Sequence, residues 1–320
     1  MQTRSLGRCG LSVSEVGLGT WALASEIYGS VSSTDATETV RAALDAGITL
    51  FDTAPLYGNA TTDGIAETRL AEALGTDTHR VLISTKFGRY SSDGAAPNFH
   101  AQRARESVEG SLRRLRRETL DVLFFHSPFG LSDIHDDVWE ELDRLKTEGK
   151  VRVIGHSISK FADTQEMCRT WAAERRIDTI QVVLSLMNRE SRTLIQDLSQ
   201  DGVGVFAREA LANGFLTGAL SADTVFPPGH LNHRYDRAEI QARAMYVASL
   251  RTHVITEDIT TVPQAAFRWV LDQTGVSVVL SGASCVEHLS DAVRASAAPS
   301  YGAATLAAVE ALHTRDFEAA

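Results

Sequence analysis

The chain is expected to fold as an α/β protein, a (β/α)8 TIM barrel with an N-terminal β-hairpin cap and an extra C-terminal helix. Three observations carry that expectation. Short β-branched runs keep alternating with longer amphipathic stretches, the pattern of parallel strands joined by crossover helices. Eight such units can be counted, enough to close a barrel, and the G-x-G-x-x-G turn that commonly follows the first strand of a doubly wound sheet is absent. The length of 320 residues falls inside the roughly 200 to 400 that such barrels span as one unit, so residues 1–320 read as a single domain.

The elements follow in order. Arg4 to Val13, polar around Gly7 and Gly10, reads as the small hairpin at the barrel bottom. Val16 to Thr20 is the first strand, Asp35 to Ala46 a helix stopped by Gly47, and Ile48 to Asp52 the second strand. Ile65 to Leu74 is helical and Val81 to Thr85 extended; Ala101 to Arg116 is a long helix and Asp121 to Phe125 the fourth strand. Helix Ile134 to Thr147 ends at Gly149 and leads to strand Val151 to Ile154; helix Phe161 to Ala173 leads to strand Thr179 to Leu184. Helix Arg189 to Ser199 and strand Val203 to Phe206 come next, then a loop rich in Gly and Pro. Arg237 to His253 and Pro263 to Gln273 are helical, the latter opening with Pro at its first position. Val276 to Leu280 supplies the eighth strand, Val286 to Ala295 its helix, and Ala303 to Thr314 the added one.

Composition narrows the function. Hydrophobic residues make up 43% and charged residues 22%, an ordinary globular balance able to fill a core. A net charge of −10 argues against a nucleic-acid partner, which needs a basic stripe that releases counterions. The one basic run, Arg113, Arg114, Arg116 and Arg117, closes a helical segment and reads as a solvated helix end. Cys9, Cys168 and Cys285 are odd in number and far apart, so neither a disulfide framework nor a zinc site is expected. The N-terminus has no long apolar stretch, and no run of about 18 apolar residues occurs, so no membrane partner and a cytoplasmic location are expected.

In a barrel of this kind function lies at the C-terminal ends of the strands. Asp52, Lys86 and His126 each follow an apolar run, and Tyr57 lies in the loop five residues after Asp52. Taken singly each has a plainer reading, as a turn residue, a surface lysine, a half-buried histidine or a tyrosine covering the mouth. Together they suffice for carbonyl reduction. A carbonyl oxygen that gains charge needs a proton donor; a tyrosine hydroxyl can serve if a neighbouring cation tunes it. Lys86 is that cation, Asp52 its counter-charge, and His126 a hydrogen-bonding group that orients the carbonyl.

These residues and their surroundings resemble the aldo-keto reductase superfamily. The match runs through Gly17-Leu18-Gly19-Thr20-Trp21, Phe51-Asp52-Thr53-Ala54-Pro55-Leu56-Tyr57-Gly58, Ser84-Thr85-Lys86-Phe87-Gly88, Ser111-Leu112-Arg113-Arg114-Leu115, Leu123-Phe124-Phe125-His126 and Gly149-Lys150-Val151-Arg152-Val153-Ile154-Gly155. The resemblance implies a catalytic set of Asp52, Tyr57, Lys86 and His126, and NADPH as cofactor, with NADH the alternative and no metal. It implies that Gly19, Thr20 and Trp21 border the nicotinamide, that Asp52 lies beside it, and that Ser157 and Gln181 hold its carboxamide. Phe206 to Gly218 resembles the loop over the pyrophosphate, bringing in Arg208, Leu211, Asn213, Leu216 and Gly218. Arg208 stands where many members carry an aromatic that stacks on the nicotinamide, a role a planar guanidinium can keep. Gly282, Ser284, Glu287 and His288 match the adenine-end segment.

Departures from the pattern matter too. The usual Ser-Asn pair reads Ser157-Ile158, and His156 precedes it, either a structural histidine or a second titratable group. Ser284 replaces a customary Arg or Lys and Ala292 a customary Asn, which weakens the expected preference for NADPH. The resemblance thus implies an oxidoreductase that reduces an aldehyde or ketone, including sugar-like ones. Its small-molecule carbonyl substrate is expected against Trp21, Tyr57, Phe87 and His126 and the loops Tyr90 to Phe99 and Phe226 to Tyr235. Two other readings stay open: a nucleotide-sensing, non-catalytic barrel subunit, and a lyase or aldolase using Lys86 as a Schiff-base amine. Nothing in the sequence speaks for or against a homo-oligomer.

Overall fold

A computed structural model describes residues 1–24, 31–59 and 61–317. It opens with an antiparallel pair, β1 (Thr3–Ser5) and β2 (Ser12–Ser14), in which Arg4 faces Val13. Eight parallel strands follow: β3 (Val16–Gly19), β4 (Leu50–Asp52), β5 (Leu82–Phe87), β6 (Leu120–His126), β7 (Val151–Ser157), β8 (Thr179–Val183), β9 (Gly204–Arg208) and β10 (Val278–Ser281). They close in sequence order, β10 returning to pair with β3 through Val279 and Val16.

Helices cover the strands: α1 (Ser33–Asp45), α2 (Ile65–Leu74), α3 (Ala101–Leu115), α4 (Asp137–Thr147), α5 (Phe161–Ala173), α6 (Arg192–Gln200), α7 (Arg237–Val254), α8 (Val262–Leu271), α9 (Val286–Ala297) and α10 (Ala303–Leu312). Local chemistry sets several of their starts. Ser32 accepts from Asp35 N ahead of α1, Thr261 accepts from Gln264 N ahead of α8, and Asp236 forms a reciprocal capping box with Glu239 on α7. Strand β7 runs three residues beyond its expected end because the register carries it on, pairing Phe124 with Gly155 and His126 with Ser157.

The hairpin seals the bottom of the barrel. Leu6, Leu11 and Val13 join the inward-facing Leu50, Val122, Phe124, Val153, Phe206, Val278 and Leu280 in one buried cluster. A larger cluster fills the space between sheet and helices. Close packing inside demands glycine at Gly155: a Cβ there would lie 2.4 Å from the Phe124 ring and from Thr179 Oγ1. With its lower half filled, the barrel leaves only its upper end for chemistry.

The basic run at the end of α3 departs from expectation. Arg114 reaches the fully buried Glu67 of α2 at 2.6 Å. Arg117 bonds Asp121 at 2.9 Å and the Thr78 and Val81 carbonyls. Two of the four arginines are thus structural ties between α3 and the barrel rather than a solvated helix end.

Candidate active site

Strand register assembles the site. Parallel pairing sets Gly19 beside Asp52 and Asp52 beside Ser84, while His126, Ser157 and Gln181 form a second row across β6, β7 and β8. Tyr57 comes from the loop after β4, which is sewn down by Tyr57 N to Ala54 O at 3.1 Å and Ala66 N to Tyr57 O at 3.0 Å. The four groups converge. Lys86 Nζ donates to Asp52 Oδ2 at 2.7 Å and to Thr53 O at 2.9 Å. The same nitrogen lies 4.8 Å from the centre of the Tyr57 ring. His126 meets Tyr57 edge-on, ring centres 5.7 Å apart.

The electrostatics follow from burial and pairing. Lys86 is fully buried and Asp52 3% exposed, so each charge depends on the other to offset its lost hydration. Asp52 is saturated further by Ser84 Oγ at 2.7 Å and Gln181 Nε2 at 3.0 Å on Oδ1. Burial pulls the Lys86 ammonium down, but Asp52 and then Tyr57 more than restore it, so its pKa ends above 10.5. Tyr57 keeps part of its surface at the mouth. The surroundings of its hydroxyl are nevertheless enclosed enough that desolvation raises its pKa, with Lys86 pulling the other way. Burial, reinforced by the Lys86, Arg89 and Arg208 charges, pushes His126 well below 6.5. At neutral pH the site therefore holds an ammonium, a carboxylate, a protonated phenol and a neutral imidazole.

Around this centre the remaining residues divide. Thr20 N and Oγ1 both bond Asp52 O, and Trp21 lies 6.2 Å from the Tyr57 ring, forming a wall. Ser157 Oγ donates to Gln181 Oε1 at 3.3 Å and approaches Ser127 Oγ at 3.4 Å. Arg208 bonds the Ile158 carbonyl at 3.0 Å and is ion-paired with Glu209. The chain after β9 then curls through three successive residues of positive φ, Ala212 (46°), Asn213 (54°) and Gly214 (93°), on a path that includes Leu211, Leu216 and Gly218. Two of its N–H groups are taken up within the turn itself, Ala212 N by Glu209 O at 2.7 Å and Gly214 N by Leu211 O at 3.0 Å. Gly282 has open space where a side chain would stand, and the N-terminus of α9 carries no side-chain cap beside Ser284, Glu287 and His288.

These features fit a nicotinamide dinucleotide. The Gln181 amide keeps one N–H and one lone pair beyond its bonds to Asp52 and Ser157, what a carboxamide needs. His126 Nδ1 is buried with no partner among the described residues. Also among the described residues, no group of three or more His, Cys, Asp or Glu side chains is placed to hold a metal, and no helix is long and apolar enough to cross a membrane.

Not every expected residue joins the pocket. Phe87 is fully buried and packs on Phe99 and Phe125, ring centres 5.5 and 4.7 Å away, in the layer between sheet and helices. Because Lys86 faces inward its neighbour must face outward, so Phe87 is not a substrate contact. His156 also faces the helices, 5.0 Å from the Trp171 ring, with neither ring nitrogen partnered among the described residues and its pKa pushed down to about 3 by burial. It is a structural histidine. In the loop Phe226 to Tyr235, the two terminal aromatics pack on Phe215 at 6.0 and 5.7 Å and Asn232 Nδ2 bonds Asn213 O, bracing the 212–214 curl. Ile158, an apolar departure, contributes its carbonyl to Arg208. Arg89, not singled out from the sequence, also stands near this centre: its charge acts on His126 and its guanidinium carbon lies 5.2 Å from the Phe129 ring.

A family model described as "Aldo/keto reductase family" matches residues 15–313. The chain is 32% identical over 289 residues to the aldo-keto reductase YhdN of Bacillus subtilis (strain 168), covering 88% of this chain and 85% of that one. It is 35% identical over 225 residues to an L-galactose dehydrogenase of Arabidopsis thaliana, covering 68% and 67%. Among solved structures, the glycerol dehydrogenase of Gluconobacter oxydans superposes with a TM-score of 0.79 at 28% identity, covering 97% of this chain and 94% of that one.

Proposed function

Because the chain belongs to the aldo/keto reductase family, we propose that it is an NAD(P)H-dependent oxidoreductase that reduces an aldehyde or ketone to the alcohol with Tyr57 as proton donor. One observation carries the mechanism: a buried ammonium at 2.7 Å from a buried carboxylate, beneath a phenol whose ring centre is 4.8 Å away. The nicotinamide, when bound, supplies the hydride.

The protein's own groups do the rest. His126, neutral, offers a hydrogen bond from its imidazole to the carbonyl oxygen and orients it without adding charge. Tyr57, protonated at neutral pH, delivers its phenolic proton to that oxygen as charge builds there. The phenolate left behind faces Lys86, whose positive charge stabilises it until solvent restores the proton. Asp52 keeps Lys86 charged and fixed. Ser157 and Gln181 hold the carboxamide, the loop Phe206 to Gly218 lies along the pyrophosphate, and the uncapped start of α9 takes the far phosphate through backbone N–H groups. No basic side chain stands at Ser284, and Glu287 adds negative charge to the first turn of α9, which supports NADH as well as NADPH as cofactor.

The Schiff-base reading is disfavoured by the state of Lys86: an amine that donates to Asp52 and Thr53 and stays protonated has no lone pair to attack a carbonyl. Titrating NADH and NADPH by fluorescence, then following their oxidation against a panel of aldehydes, ketones and sugars, tests the proposal. Steady turnover with at least one carbonyl supports it. Cofactor binding without turnover on any would favour a nucleotide-sensing role instead.

A further inference from the structure

We infer that Arg89 selects the substrate, its guanidinium gripping a carboxylate or phosphate carried by the aldehyde or ketone that Tyr57 and His126 process. This rests on the reductase reading above and names the substrate class within it.

Four observations carry it. Arg89 follows Lys86 by three residues, at the mouth end of β5. Its guanidinium carbon lies 5.2 Å from the centre of the Phe129 ring, in the loop that follows His126. The group thus bridges the two loops that leave the catalytic strands. Among the described residues its one hydrogen bond is from Nε to Ala95 O at 2.8 Å; its two terminal amino groups donate to nothing and Arg89 makes no ion pair. Asp133, the acid whose field reaches it, instead accepts from Phe129 N at 2.6 Å.

The support is built in advance. Ala95, which offers the carbonyl, has φ of 60°, and Gly88, just before Arg89, has φ of 93°, with Phe99 only 2.1 Å from where a Cβ would stand. Backbone strain of this kind persists where the surroundings hold it. Ser91 N donates to Asp63 Oδ1 at 2.6 Å, pinning the loop beside the one that carries Tyr57. The Arg89 charge is felt at both Tyr57 and His126. Arg208, the other guanidinium that reaches them, is neutralised by Glu209. A half-buried arginine whose two terminal amino groups bond nothing among the described residues is a fork for an oxyanion. Phe129 and Leu131, 56% and 65% exposed, give the rim an apolar strip on which the body of such a substrate can lie.

The test is a ratio within each protein. The kcat/KM for 4-carboxybenzaldehyde is divided by that for 4-formylbenzamide, an uncharged isostere, and likewise for glyceraldehyde 3-phosphate over glyceraldehyde. In the wild type at least one ratio should exceed about 10, the size of a charge-assisted contact. In Arg89→Gln it should fall to about 1, chiefly through KM of the charged member, and Arg89→Lys should lie between. A wild-type ratio near 1 for both pairs, or one that survives in Arg89→Gln, overturns the assignment while leaving the reductase reading intact. No turnover of any carbonyl by the wild type overturns the reductase reading and this inference with it.

Discussion

Replacing Asp52 by Asn removes one charge from a buried pair and keeps the shape, which makes the consequence calculable. Lys86 is fully buried and Asp52 3% exposed, with Nζ 2.7 Å from Oδ2. Deleting one member of such a pair leaves an unpaired charge and costs about 3–5 kcal/mol. At about 2.1 cal/mol/K of unfolding entropy per residue, a chain of 320 residues loses roughly 4–8 °C in Tm. The pH dependence carries the sharper sign. In the wild type the Lys86 pKa lies above 10.5, so its contribution is complete below pH 10.5 and is lost only as pH rises through the folded value. Stability should be flat from this source between pH 7 and 10. In Asp52→Asn the strongest remaining influence is desolvation, which lowers the Lys86 pKa below its unfolded value. Folding then releases a proton, and stability climbs as pH rises toward 10.5. Calorimetry of both proteins at pH 7 and 9.5 measures this. A variant Tm within about 1 °C of the wild type at pH 7, or the same pH slope in both, would refute the reasoning.

Three further substitutions test readings outside the proposed catalytic set. His156 has its pKa pushed from 6.5 to about 3, so wild-type folding is favoured above pH 6.5 and increasingly opposed as pH falls toward 3; at pH 5 the penalty is about 2 kcal/mol. His156→Met should abolish that share of acid sensitivity in denaturant titrations at pH 7 and 5, and an unchanged acid response would contradict its burial as an unpartnered imidazole. Arg114→Met removes the charge partner of the buried Glu67, leaving it only the Thr85 hydroxyl, and should destabilise by about 3 kcal/mol in a urea titration. Arg116→Met, in the same basic run, should shift it by less than about 0.5 kcal/mol, and equal effects would restore the solvated-end reading for both.

The barrel was legible because its determinants are local and repeated. Helices α2 and α5 begin and end where apolar spacing and flanking glycine or charge say they should, and each strand is a short apolar run. The convergence of Asp52, Tyr57, Lys86 and His126 was legible for a related reason, since polar residues at consecutive strand ends must share one rim. What escaped depends on contacts across sequence. Arg114 and Arg117 look alike with Arg113 and Arg116 until Glu67 on α2 and Asp121 on β6 come alongside. Phe87 was misassigned although a signal existed: neighbours in a strand face opposite ways, so an inward Lys86 excludes it. The loop Phe226 to Tyr235 is expected from sequence to supply substrate contacts, whereas its two terminal rings pack against Phe215.

The role given to the Tyr57 hydroxyl is tested most directly by single-turnover reduction with Tyr57→Phe, using whichever carbonyl the wild type accepts and measuring cofactor affinity alongside. Turnover should fall about 100-fold or more, ~3 kcal/mol of barrier, with the cofactor dissociation constant nearly unchanged. Reduction at the wild-type rate by a protein lacking that hydroxyl would contradict it outright.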